Sequence, residues 1–196
     1  MDNGFRPSMP APSADTAGRI NQYALVAYID GKLGEFLFRL RQEIVPSCRL
    51  RSHVSILPPR QLPGTDAEAI RSLHAATRNH HAFPVALGEI EVFPVTNVVY
   101  IAIAGGLPEL HAMHGDLNAG GLQYKEPFTY HPHITLAQEI PAPEHAEVHK
   151  LCLARWAEYT GPRDFPVETL TFVQNTAQCG WQDLAEARLA MAVSRL

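Results

Sequence analysis

The order of elements along this chain is written twice, and each copy carries the same kind of tripeptide at the same place. His53-Val54-Ser55 and His133-Ile134-Thr135 each lie inside an apolar run that reads as a strand. Successive strand side chains alternate between faces, so His53 and Ser55 share one face while Val54 and Ile56 take the other. The same alternation sets His133 and Thr135 against Ile134 and Leu136. A buried strand face does not normally carry an imidazole and a hydroxyl two residues apart. Finding that arrangement twice points to two half-sites built to meet.

The surrounding periodicities fill in the copies. Tyr23 to Ile29 is expected as a strand, and Leu33, Phe36, Leu37, Leu40 and Ile44 recur at helical spacing before Pro46. The first motif strand runs from Leu50 to Leu57 and is ended by Pro58-Pro59. Thr65 with Glu68 then forms a capping box opening a second helix. Phe83 to Phe93 and Asn97 to Ala104 read as two strands around a turn at Pro94 to Thr96.

In the second half, Leu107, Leu110, Met113 and Leu117 mark a helix closed by Gly120-Gly121. Tyr130 to Ala137 is the second motif strand, and Val148, Cys152, Trp156 and Tyr159 line a helix entered through Pro141 and Pro143. Phe165 to Asn175 and Glu186 to Ser194 are the expected closing strands. Phe83-Pro84-Val85 begins 30 residues after His53, and Phe165-Pro166-Val167 begins 32 residues after His133. Motif, order and offset together indicate an internal duplication, with halves of about 20–104 and 105–196. The expected fold is α+β: two pseudo-twofold-related lobes of antiparallel-rich sheet, helices outside, and a central cleft faced by both motif strands.

Composition narrows the functions open to such a chain. Sixteen basic against twenty acidic residues give a formal charge of −4, whereas a protein that grips long nucleic acid by its phosphates carries a basic surplus. Cys48, Cys152 and Cys179 are an odd, widely spaced set without a CxxC, which fits a reducing compartment and excludes a cysteine-based zinc finger. No run of 18 apolar residues exists, so a membrane span is not expected. Residues 1–19, with Pro7, Pro10 and Pro12 among small polar residues, lack a signal peptide's apolar core and read as a disordered tail; the expected location is the cytoplasm.

Histidine titrates near neutral pH, so one imidazole can take a proton while a second, protonated, donates one. Two of them across a cleft suit in-line displacement at phosphorus. One deprotonates an attacking water and the other protonates a departing ribose oxygen, with Ser55 and Thr135 placed to donate to the phosphoryl oxygens. This scheme needs no metal and no cofactor.

The motif context, His53-Val54-Ser55 followed by Ile-Leu-Pro-Pro and Pro132-His133-Ile134-Thr135-Leu136-Ala137, resembles the paired signatures of the two-histidine (2H) phosphoesterase superfamily. Bacterial 2′-5′ RNA ligase-type proteins and their cyclic-phosphodiesterase relatives are the closest in pattern, and the resemblance runs from Tyr23 to the C-terminus. It implies a bilobal α+β fold and metal-independent hydrolysis of 2′,3′-cyclic or 2′-5′ phosphodiesters of small nucleotides or RNA ends. His53 and His133 carry over as the acid–base pair, with Ser55 and Thr135 as phosphate donors. Many relatives continue the second motif with arginine where this chain has Gln138. Arg51, on the face of His53, is the expected compensating cation, with Arg60 close by.

His131 is expected as a cleft wall and Tyr100 as a residue that could stack on a base, while Trp156 and Trp181 read as core. Two competing readings stand beside the enzyme. One is a nucleotide- or RNA-end-binding module with little or no catalysis; the other is a metal-dependent hydrolase built on His131 and His133. A monomer is the favoured state.

Overall fold

The computed structural model describes residues 19–176 and 180–191, so most of the expected tail, Cys179 and the end of the last expected strand lie outside the described residues. Within them eight strands and four α-helices follow one another as β1 (Arg19–Tyr28), α1 (Gly31–Ile44), β2 (His53–Arg60), α2 (Asp66–Thr77), β3 (Phe83–Val92), β4 (Val99–Gly105), α3 (Leu107–Leu117), β5 (His133–Ala137), α4 (His145–Glu158), β6 (Asp164–Val167), β7 (Thr169–Thr176) and β8 (Trp181–Arg188). The fold is α+β, with two four-stranded antiparallel sheets in the orders β2-β1-β7-β8 and β5-β4-β3-β6.

These two orders are the same order read in corresponding strands. Each sheet has a motif strand at one edge (β2, β5) beside the strand that precedes it through a helix (β1, β4), then a strand donated by the other half (β7, β3). The repeating unit is therefore strand, helix, motif strand, helix, strand. β4 opens the second unit instead of closing the first, and the sheets do not coincide with the sequence halves.

Three sequence expectations need correction. The stretch Phe165 to Asn175 is two strands, β6 and β7, which break at Glu168 and enter different sheets. Only Glu168 separates the two pieces, too short a break in the sequence to mark the change of sheet. The closing strand is β8, which begins at Trp181 and ends at Arg188; as an edge strand it lacks the alternation that marks a half-buried one. Pro58-Pro59 does not end β2. The strand continues to Arg60, opposite Tyr23 of β1, because an edge strand can lose ladder donors on its open side.

One apolar cluster runs through both sheets and the helices. Val54 and Ile56 of β2 and Ile134 and Leu136 of β5 are at most 1% exposed and face it, along with Leu37, Leu73, Leu110, Met113 and Trp156. Burying a side chain of this size contributes about 1.5–3 kcal/mol. The Thr65–Glu68 capping box forms as expected. Among the described residues no helix is long and apolar enough to cross a membrane.

The approach to the first motif strand depends on Gly34. Ser52 donates its hydroxyl to the Gly34 carbonyl, and Ile29 donates its N–H to the Ser52 carbonyl. A Cβ on Gly34 would stand 1.8 Å from the Ile29 carbonyl oxygen. Gly34→Ala is expected to cost at least about 2–3 kcal/mol, since backbone must shift to admit the methyl, and urea unfolding measures the loss.

Candidate active site

The two motif strands repeat each other in burial. His53 and Ser55 are half-buried between buried Val54 and Ile56, and His133 and Thr135 are half-buried between buried Ile134 and Leu136. Registers correspond as well: His53 and Ser55 lie opposite Tyr28 and Val26 of β1, and His133 and Thr135 opposite Ala102 and Tyr100 of β4. Alternation alone places each imidazole and its hydroxyl on one face, as the sequence pattern requires.

Both rings are held by the same device. His53 Nδ1 lies 2.7 Å from the Arg51 carbonyl, and His133 Nδ1 lies 2.7 Å from the His131 carbonyl. A carbonyl can only accept, so each Nδ1 carries the hydrogen and each Nε2 is left as the atom that can exchange a proton. Partial burial lowers both pKa values, His53 to about 4, against the support of those carbonyl bonds. Charges on Arg41 and His133 push His53 lower still. Among the described residues the Ser55 and Thr135 hydroxyls donate to no protein acceptor, so both are available to a ligand.

Two cavities flank the pair. One, of about 370 Å³, is lined by His53, Tyr28, Arg51, Trp181, Gln182 and Asp183. The other, of about 520 Å³, is lined by His133, Thr135, His131, Phe93, Phe128 and Gln138, with no lysine or arginine in its wall. His131 is thus a wall of the cleft; its ring meets Phe93 edge-on at 5.1 Å.

Other expected contacts differ. Arg51 points into the smaller cavity, but it already pairs with Asp30 at 3.1 Å and Asp183 at 3.8 Å and lies over the Tyr28 ring. It is not the unopposed cation suggested by its strand position. Arg60 is 3% exposed and bonded to Glu126, Asn118 and the Pro58 carbonyl, which makes it a structural residue. Tyr100 is 3% exposed, donates to Glu91 at 2.7 Å and is covered by Phe93 stacked at 4.1 Å. Its face is closed to a base, and its edge instead supports the His133 ring at 5.3 Å. Trp156 is core, whereas Trp181 is a half-buried wall of the smaller cavity. His131 and His133 gather no third histidine, cysteine or carboxylate among the described residues, so the metal reading has no ligand set.

Residues not signalled by the motifs complete the site. Tyr130 donates its hydroxyl to the Ser55 carbonyl at 2.9 Å, and His114 Nδ1 donates to the Ile56 carbonyl at 2.8 Å while stacking on Tyr130. Arg41 donates to the Thr135 carbonyl at 2.7 Å. Each reaches across from the other unit to the free edge of a motif strand.

A family model for the 2′-5′ RNA ligase superfamily matches residues 36–178, well over half of the sequence. The chain belongs to that superfamily. A Bacillus cytotoxicus protein provisionally named a phosphoesterase is 28% identical over 98 residues, covering 49% of this chain and 56% of that protein. The chain thus spans little more than half the length of that relative. A similarly named protein of Bacillus cereus strain B4264 is 27% identical over 130 residues, 60% of this chain and 75% of that one. Among solved structures, E. coli LigT complexed with phosphate superposes with a TM-score of 0.59 at 15% identity, over 88% of this chain and 99% of that one. E. coli LigT complexed with 3′-AMP gives 0.59 at 16% identity, over 88% and 98%. These likenesses carry the fold.

The low pKa of His53 has a consequence for stability. An imidazole held below its ordinary value of 6.5 takes up protons less readily in the fold than in the unfolded chain, so acid favours unfolding. The His53 contribution is undisturbed above about pH 6.5 and is lost progressively as pH falls toward 4. Urea midpoints measured between those limits are expected to fall less steeply for His53→Gln than for the wild type.

Proposed function

We propose that this protein is a phosphodiesterase that hydrolyses the 2′,3′-cyclic or 2′-5′ phosphodiester of a small nucleotide or short RNA end, using His53 and His133 as an acid–base pair without a metal. One observation carries the reading: on corresponding strands, both imidazoles are locked through Nδ1–H to the carbonyl two residues earlier, which leaves matched Nε2 atoms to exchange protons. The deeper depression of His53 suits it to take a proton from the attacking water as the new O–P bond forms. His133, protonated as the anion docks, then gives its proton to the departing ribose oxygen as the old P–O bond breaks. The pair ends with its proton on the opposite member, and solvent resets it.

The hydroxyls of Ser55 and Thr135 donate to the non-bridging oxygens, where charge builds. Phe93 and Phe128, in the wall of the larger cavity, offer apolar faces to a base. The capture of phosphate and of 3′-AMP by E. coli LigT supports a small nucleotide ligand here. A binding module without turnover is the second reading, favoured by the depression of both imidazoles, which leaves little imidazolium at neutral pH to act as acid. Turnover and binding measured on one ligand separate the two.

His53→Ala and His133→Ala should each lower kcat on a 2′,3′-cyclic nucleotide by about 10²–10⁴-fold with the fold retained by circular dichroism. Thr135→Val should lower it by about 10²-fold. Turnover within threefold of wild type in either histidine variant rejects the assignment. Activity should persist in excess EDTA, and its loss would return the metal reading.

A further inference from the structure

We propose that Arg41 is a positioning residue of the phosphoryl site, a buried and unmatched guanidinium whose charge draws a phosphate anion between the two histidines. The proposal rests on the phosphodiesterase reading above and adds the source of its positive charge.

Arg41 lies in the last turn of α1 and is 8% exposed. Its Nη1 donates to the Thr135 carbonyl at 2.7 Å, and its Nε is buried without a partner. Among the described residues no carboxylate pairs with it. Arg60, equally buried, shows the usual arrangement: its charge is matched by Glu126 and its remaining donors by Asn118 and two carbonyls. A buried charge without a counter-ion is costly, and such exceptions call for an explanation outside the apo protein.

Arg41 lines neither cavity, and its link to the site runs through Thr135, which points to an anion held at that residue as the missing partner. Arg41 is bonded to the residue whose hydroxyl faces the ligand, and its charge reaches His53 on the other motif strand. Around His53, Arg49 on the wall of the smaller cavity is solvent-exposed and makes no ion pair among the described residues, whereas Arg41 is the buried one. From β5 comes His133; from β1 comes the Tyr28 ring, 6.4 Å away and hydrogen-bonded to Asp183; and Arg51 is matched by Asp30 and Asp183. Gln138, on the larger cavity, is neutral and exposed. A phosphodiester monoanion supplies one negative charge, which is what a single guanidinium lacks.

The test uses the full chain, inorganic phosphate as probe and NMR as readout, so it does not depend on turnover. In wild type, the Arg41 Nε–H resonance should shift as phosphate saturates the site. Arg41→Met should weaken phosphate about tenfold and move the His53 titration upward by about one pH unit, because a nearby positive charge has been removed. Arg41→Lys, which keeps the charge, should hold both within about threefold and a few tenths of a unit. An Nε–H resonance unmoved by saturating phosphate overturns the proposal even if no variant folds. So does Arg41→Met when it lowers only the melting temperature, which makes Arg41 a structural tie. If wild type binds phosphate through Arg41 but hydrolyses no phosphodiester, the proposed function fails while this inference stands.

Discussion

Two sheet edges lie against one another here without pairing, and the cleft exists because they do not pair. β2 and β5 each have one neighbour in their own sheet, which leaves a row of backbone groups unclaimed on the opposite side. Three of the carbonyls so exposed, on Ser55, Ile56 and Thr135, are taken by Tyr130, His114 and Arg41. A buried carbonyl without a partner costs about 1–3 kcal/mol, so these side-chain donors do the work a ladder would otherwise do. They do so at points, where a ladder would close the whole edge.

The pair of half-sites is alike in backbone and unlike in surroundings. On the His53 side the wall carries two arginines, Arg51 matched by two carboxylates and Arg49 open to solvent. On the His133 side it is aromatic and aliphatic, with Phe93 fixed against Tyr100 and Phe128 70% exposed. A phosphodiester has two different substituents, and walls of different chemistry give it a preferred direction between otherwise equivalent histidines. Symmetry of the strands supplies the chemistry; asymmetry of the loops supplies the choice.

Much of this was legible in the residues. The motif strands, the four helices and the capping box follow from period and punctuation, because those signals are local. The strand exchange was not legible: the residues of β7 suit a central strand of either sheet, and only tertiary pairing decides. Tyr100 and Arg51 have the strand positions expected of them, but Phe93 covers the first across a hairpin and Asp30 with Asp183 neutralises the second, contacts that the pattern of a single strand does not show. Arg41 could have been noticed. It falls on the apolar stripe of α1, four residues after Leu37 and three before Ile44, where a charge demands a reason.

The exchange of β3 and β7 also sets the order in which the molecule can assemble. β1 finds β2 nearby, but its other flank belongs to β7, more than a hundred residues further along the chain. A nascent chain leaving the ribosome therefore holds an apolar, half-finished sheet until β7 has been synthesised. Such long-range closure folds slowly and leaves sticky edges open in the meantime.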